Sequence, residues 1–287
     1  RALGLLLCLL LAVLLLAGQV LPAVALNQEG GTITIATAED LKELAVQCTL
    51  DSWSQGKTVV LTDDINLSGS GFTPIPTFGG TFDGQGHTIS GLTITGSGNT
   101  RGLFRYVQQG AVVQNLTVKA SVGPSDRKNE VAAIAGSNSG IIRQCAAQGG
   151  VKGGDSVGGV VGVNELTGQV INCTFSGSVT GEHYVGGIAG RNLGSLIQCR
   201  NSGNVNTTEV ETEKDLSSVD WERLNSAQNM PACTDIGGVA GRSSGWLDGC
   251  TNTGAVAGRK DVGGIVGQLE PERLKTLSQD FLEKQPT

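Results

Sequence analysis

Gly158-Gly159-Val160-Val161-Gly162 returns as Gly186-Gly187-Ile188-Ala189-Gly190, as Gly237-Gly238-Val239-Ala240-Gly241 and as Gly263-Gly264-Ile265-Val266-Gly267. A weaker copy, Ala132-Ala133-Ile134-Ala135-Gly136, comes first, and the closing glycines are spaced by 26, 28, 51 and 26 residues. A near-constant period of this length marks a solenoid, whose units bury a core only by stacking on their neighbours.

A second phrase follows each copy in fixed register. Gly140-Ile141-Ile142-Arg143-Gln144-Cys145 leads to Gly149 and Val151, and Gly168-Gln169-Val170-Ile171-Asn172-Cys173 leads to Gly177 and Val179. Gly194-Ser195-Leu196-Ile197-Gln198-Cys199 leads to Gly203 and Val205, and Gly245-Trp246-Leu247-Asp248-Gly249-Cys250 leads to Gly254 and Val256. Aliphatic residues alternate over short runs, which is strand behaviour, and glycines sit where the chain must turn sharply. No run in the repeats has helical length and period. The expected fold is all-β, a right-handed parallel β-helix, because parallel crossovers are overwhelmingly right-handed. A β-propeller would need four strands per blade, too many for a period this short.

Cys145, Cys173, Cys199 and Cys250 share one repeat position and are expected to form an inward-facing ladder. Residues stacked on adjacent rungs sit roughly 4.8 Å apart with parallel Cα–Cβ vectors. A disulfide needs about 3.5–4.5 Å between Cβ atoms and converging vectors. Free thiols acting as small buried hydrophobes are therefore expected. No metal site is expected, because no Cys-x-x-Cys pair or neighbouring His supports zinc. Cys48 and Cys233 lie off the ladder, free to pair or to remain thiols.

Residues 2–26 carry no charge, Leu3–Leu16 is nearly all aliphatic, and Pro22-Ala23-Val24-Ala25 supplies an Ala-x-Ala ending. Residues 1–25 are thus expected to be a secretory signal peptide cleaved after Ala25, with an uncleaved anchor as the alternative. Residues 26–57 are expected to form an N-terminal cap containing a short helix. Its N-cap is Thr37, with Glu39 and Asp40 in the first turn and Leu41, Leu44 and Ala45 facing inward. Residues 58–268 make the solenoid. Residues 269–287, where Leu274, Leu277 and Phe281 fall at helical spacing, make a short C-terminal helix that serves as a cap or begins a stalk.

The 51-residue step hides an insertion. Residues 204–236 contain no glycine, although the chain has 44 in 287, an average that would place about five there. Residues 206–235 carry Glu209, Glu211, Glu213, Asp215, Asp220, Glu222 and Asp235 against Lys214 and Arg223, an acidic excursion from the wall. Insertions in solenoids map to surface loops, often on a binding face. Trp246 replaces smaller residues at its repeat position and should point outward near Trp221. The expected contact surface is Trp221, Trp246, Glu209, Glu211 and Glu213, against the alternative that Trp221 merely pins the loop.

The formal net charge of −6 and a pI near 5.0 argue against nucleic acid as a partner. No catalytic residue and no cofactor site is assigned. His87 and His183 are the only histidines, at unrelated positions. His87 is read as a turn or stacking residue, and His183 as an exposed corner residue. The adjacent acidic pair Asp63-Asp64 is read as capping backbone N–H groups. For lyase chemistry the nearest approximation is Asp83 with His87 and Arg101 or Arg105.

The Gly-aliphatic-aliphatic-Gly phrases followed by Cys and Gly resemble the GLUG motif of bacterial secreted and surface proteins, including regions that accompany immunoglobulin A-cleaving metallopeptidases. Phe82-Asp83-Gly84-Gln85-Gly86-His87-Thr88-Ile89 resembles the entry coil of such proteins and of pectin-lyase-like β-helices. The likeness spans roughly residues 32–268. It implies an extracellular, secreted or cell-surface module for adhesion or ligand display, with a glycan or a host or matrix protein as partner. The expected module is a monomer whose mature part does not touch the membrane. The metallopeptidases' His-Glu-x-x-His is absent. The alternatives are a polysaccharide lyase or glycoside hydrolase of the pectin-lyase-like fold, and a spacer in a longer multidomain protein.

Overall fold

A computed structural model of the chain describes residues 26–206 and 233–270. It is a parallel β-solenoid of about eight turns with one short helix among the described residues. The expected signal peptide over residues 1–25, nearly all of the expected C-terminal helical segment 269–287 and most of the acidic insertion 206–235 lie outside the described residues.

In the later coils the chain runs through four short strands and then repeats one level up. One such coil is Asp155–Gly158, Val161–Asn164, Gln169–Ile171 and Thr174–Thr180. Stacking the corresponding strands gives four sheets, here sheets D, C, A and B in that order. Sheet D contains only four strands, and its line continues into earlier coils as isolated bridges at Val131 and Arg101. The early coils are therefore three-sided, and the Gly-Gly phrases open where the fourth side appears.

The glycines explain that side. Sheets D and C meet at a tight corner built by Gly158 and Gly159. A Cβ on Gly158 would lie 1.9 Å from the Val161 carbonyl oxygen, and one on Gly159 would lie 2.3 Å from the Phe175 ring. Only hydrogen fits there.

Columns of like residues fill the interior. On sheet A, Ile33, Val59, Phe82, Val113, Ile142, Val170 and Leu196 stack in register, each fully buried. Phe78, Phe82 and Phe104 from sheets C and A pack with ring centroids 5.4–6.0 Å apart. Fully burying one such ring contributes about 1.5–3 kcal/mol.

Parallel stacking starts earlier than residue 58, the sequence boundary: Thr32–Ile35 already pairs in parallel with Thr58–Leu61. Apolar alternation in Thr32-Ile33-Thr34-Ile35 makes this stretch a rung rather than a cap. Asn27–Glu29 then adds an antiparallel strand on its outer side, which blunts the sheet edge. The helix Ala38–Gln47 covers the same end of the core. Thr37 and Asp40 close a capping box, and Leu41, Leu44 and Ala45 are buried. Among the described residues the core columns are less covered at the far end: Val262 is 45% exposed, whereas its neighbour below, Ile236, is fully buried.

Candidate ligand-binding surfaces

The corner between sheets A and B is set by the residue before each ladder cysteine. Gln144, Asn172 and Gln198 adopt left-handed backbone conformations, with φ of 53°, 52° and 51°. One such residue turns the chain and resets the in–out alternation, so its neighbour turns inward. Cys145, Cys173 and Cys199 consequently file into one buried column below Cys250, which is half-buried. None of the six described cysteines, Cys48 and Cys233 among them, is in a disulfide. The ladder thiols also reach carbonyl oxygens, as from Cys145 Sγ to Arg143 O at 3.2 Å. Burial pushes the Cys173 thiol up. A hydrogen bond from the Cys199 thiol draws Cys250 down, to about 7.

Outside that column lies a groove of about 560 Å³ along the A–B corner, lined by Gln85, Asn115, Thr117, Gln144, Asn172 and Thr174 over four rungs, with Leu116, Cys145 and Ala146 beneath. Its notch comes from one substitution in a column: Ala146 stands in register between Thr117 and Thr174.

Sheet A presents an outward stripe in which Val112, Ile141, Gln169, Ser195 and Trp246 stack in register. Trp246 is 66% exposed. The structure therefore places this candidate on a rigid strand, facing outward. Trp221, Glu209, Glu211 and Glu213 lie outside the described residues. Trp53 is committed elsewhere: the Lys57 ammonium sits 4.9 Å from its ring and bonds its carbonyl.

The repeat glycines divide by their surroundings. Gly136, Gly162, Gly190, Gly241 and Gly267 sit where sheet C backs onto sheet D, each with backbone within 2.7 Å of an added Cβ. Gly159, Gly187 and Gly238 face Phe175, Asn201 and Asn252 across the interior, whereas Gly264 has open space.

Sequence reasoning missed a buried polar ladder. Asn138, Asn164 and Asn192 lie in one column of sheet C, almost wholly buried. Asn138 Nδ2 donates to Asn164 Oδ1, and Asn164 Nδ2 to Asn192 Oδ1, both at 2.8 Å. Asn192 Nδ2 then donates to Ser243 Oγ at 3.0 Å. Its signal was present: an amide or hydroxyl two residues after four of the five closing glycines, in Gly136-Ser137-Asn138, Gly162-Val163-Asn164, Gly190-Arg191-Asn192 and Gly241-Arg242-Ser243.

The acids and histidines separate. Asp64 accepts from Thr88 N at 2.8 Å and contacts His87 Nδ1 at 3.3 Å. The Thr88 N–H in particular holds the Asp64 carboxyl below its usual range. Burial opposes charge on Asp83, but donors from Gln85, Asn115 and Gln114 outweigh it and hold that carboxyl low. Arg101 and Arg105 bond the carbonyls of Ser97 and Thr100 beside sheet C, so the proposed lyase grouping is not assembled. His183 is half-buried rather than exposed. It opens a sheet D strand, where Asp155 and Thr234 are its neighbours in register. Its Nδ1 lies 2.8 Å from Thr234 Oγ1, and that hydroxyl donates to Asp235 Oδ2 at 2.7 Å. The hydroxyl's single proton is used on Asp235, so His183 Nδ1 is the donor to Oγ1. Burial raises both Asp155 and Asp235. Among the described residues no group of three or more His, Cys, Asp or Glu side chains could hold a metal ion.

The GLUG motif matches residues 153–180 and 181–206. The chain is similar to halomucin of Haloquadratum walsbyi, 42% identical over 125 residues, which are 38% of this chain and 1% of that protein. It is similar in fold to the crystal structure of a candidate immunoglobulin A1 protease from Bacteroides ovatus. There the TM-score is 0.52 at 18% identity, covering 84% of this chain and 62% of that one. Both motif matches fall on consecutive coils whose Gly-Gly corners join sheets D and C, so the chain carries GLUG motifs within a parallel β-solenoid.

Proposed function

We propose that the chain is a non-catalytic extracellular module that displays a ligand-binding surface for adhesion. The carrying observation is Trp246, a large aromatic side chain 66% exposed on an in-register strand of sheet A. A rigid aromatic anchor loses little entropy on binding, and such residues dominate interface energetics. The likeness to halomucin, the hydrophobic stretch Leu3–Leu16 and the Ala-x-Ala ending support an extracellular location.

The test is capture by the immobilised chain of components from matrix-protein and glycan panels. Binding is expected, and Trp246→Ala is expected to weaken it about tenfold or more, the loss of one hot-spot side chain. Capture unchanged by that substitution, or turnover of a glycan without retention, would refute the proposal.

A hydrolytic reading draws on one observation, the hydrogen-bonded series His183–Thr234–Asp235 beside Asp155. It requires turnover that His183→Ala abolishes.

A further inference from the structure

We infer that the groove along the A–B corner is a binding site for a linear, neutral, polyhydroxylated chain, that is, an uncharged oligosaccharide lying across the rungs. The inference rests on the display function proposed above and names a second surface, distinct from Trp246, with its ligand class.

The first ground is shape. The groove crosses four rungs, which at the parallel-strand spacing makes it roughly 14 Å long. It follows the solenoid axis, perpendicular to the strands. Its depth comes from Ala146, which interrupts a column of threonines.

The second ground is chemistry. No charged side chain lines the groove. Two of the flanking charges are engaged, since Asp83 accepts from Gln114 and Asn115 and Arg143 donates to Gln114 Oε1, while Arg200 follows Thr174 in its column at the end of the groove. Gln144 and Asn172 are exposed on adjacent rungs, and their amides have no hydrogen-bond partner among the described residues. A side-chain amide offers two donors and an acceptor in one plane, and a threonine hydroxyl both gives and accepts. This set matches sugar hydroxyls, which also do both, and it matches neither a polyanion nor a hydrocarbon.

The third ground separates a sugar from a peptide. Extended peptides are commonly held by main-chain pairing to a free strand edge. Here the backbone donors are consumed by the ladder: Gln144 N bonds Ile171 O, Asn172 N bonds Ile197 O, Ala146 N bonds Leu116 O and Thr174 N bonds Cys145 O. Recognition must come from side chains alone.

The test is calorimetric titration of the full chain with neutral linear oligosaccharides, with uronic-acid oligomers and short extended peptides as comparison ligands. Two variants accompany it. Ala146→Thr fills the notch with the residue its column already carries on both sides. Gln144→Gly with Asn172→Gly removes the unpartnered amides at left-handed positions that glycine adopts without strain, as Gly249 does before Cys250. Circular dichroism confirms that each remains folded. A neutral oligosaccharide is expected to bind, with Kd rising about tenfold or more in each variant, the change that corresponds to losing one or two net hydrogen bonds. Trp246→Ala is expected to leave this Kd unchanged. Three outcomes overturn the inference: no neutral oligosaccharide binds, binding is indifferent to both groove variants, or the acidic or peptide ligands bind more tightly at the groove. Should capture depend on Trp246 while the groove variants have no effect, the groove assignment fails and the display function stands.

Discussion

Replacing Asn164 by alanine breaks the buried amide ladder at its centre, and the structure gives the cost. Asn164 is fully buried. Its Nδ2 donates to Asn192 Oδ1 at 2.8 Å, Gly168 O at 3.1 Å and Ser195 O at 3.2 Å, while its Oδ1 accepts from Asn138 at 2.8 Å. Asn138 Nδ2 keeps the carbonyls of Gly140 and Gln169 in reach, and Gly168 O keeps the Ser195 N–H. Asn192 Oδ1 keeps no donor. One orphaned buried acceptor costs about 1–3 kcal/mol, and the void left by the amide adds on the order of 1 kcal/mol. The expected destabilisation is about 3 kcal/mol, or roughly 6–12 °C in Tm for a domain of this size. Urea unfolding followed by circular dichroism, with an unchanged m-value, measures it. Because each coil contacts only its neighbours, hydrogen exchange should quicken at residues 138–140 and 192–195 before it does at the helix-capped end. Asn164→Asp should be worse than alanine, since it buries a charge and turns a donor into a second acceptor against Asn192 Oδ1. An alanine variant within about 0.5 kcal/mol of the parent, or an aspartate variant as stable as either, would show that the ladder does not hold the coils in register.

The glycines give a paired test: Gly159→Ala, whose methyl would meet the Phe175 ring and the Gly187 carbonyl, should cost about 3 kcal/mol or prevent folding. Gly264→Ala, at the same motif position with nothing within 4 Å, should change unfolding by less than about 0.5 kcal/mol. Of the ladder thiols, Cys250 should alkylate first and near neutral pH, being half-buried and drawn down to about 7 by the Cys199 thiol. Peptide mapping after brief iodoacetamide treatment should find Cys145, Cys173 and Cys199 unmodified until the chain unfolds. Asp235 is raised by burial, so the folded state binds more protons than the unfolded one between the ordinary carboxylate pKa and the raised value. Its contribution is therefore lost as pH rises through that window. Asp235→Asn should make stability less sensitive to a rise from pH 4 to pH 7; an unchanged slope in denaturation series would contradict this assignment.

What the sequence determined by itself was the solenoid, because a translational repeat leaves every unit with an unburied face that only the next unit can cover. The Gly-Gly phrases marked the corners, the cysteines marked an inward column, and the offset of Trp246 placed it outside. Thr37-Ala38-Glu39-Asp40 announced the helix that covers one end. The tertiary structure alone decided which polar residues are inside. Asn164 and Asn172 are the same residue type eight positions apart, yet one is sealed in the core and the other faces solvent. A left-handed residue at each A–B corner resets the alternation, and simple period-two counting cannot follow such a reset. The groove was equally hidden, because Ala146 is a notch only once Thr117 and Thr174 stand on either side of it. Likewise His183, Thr234 and Asp235, 51 and 52 positions apart along the chain, become neighbours only through stacking. Depth, notch and relay each arise between coils, from pairs of residues whose separation in sequence carries no local signal.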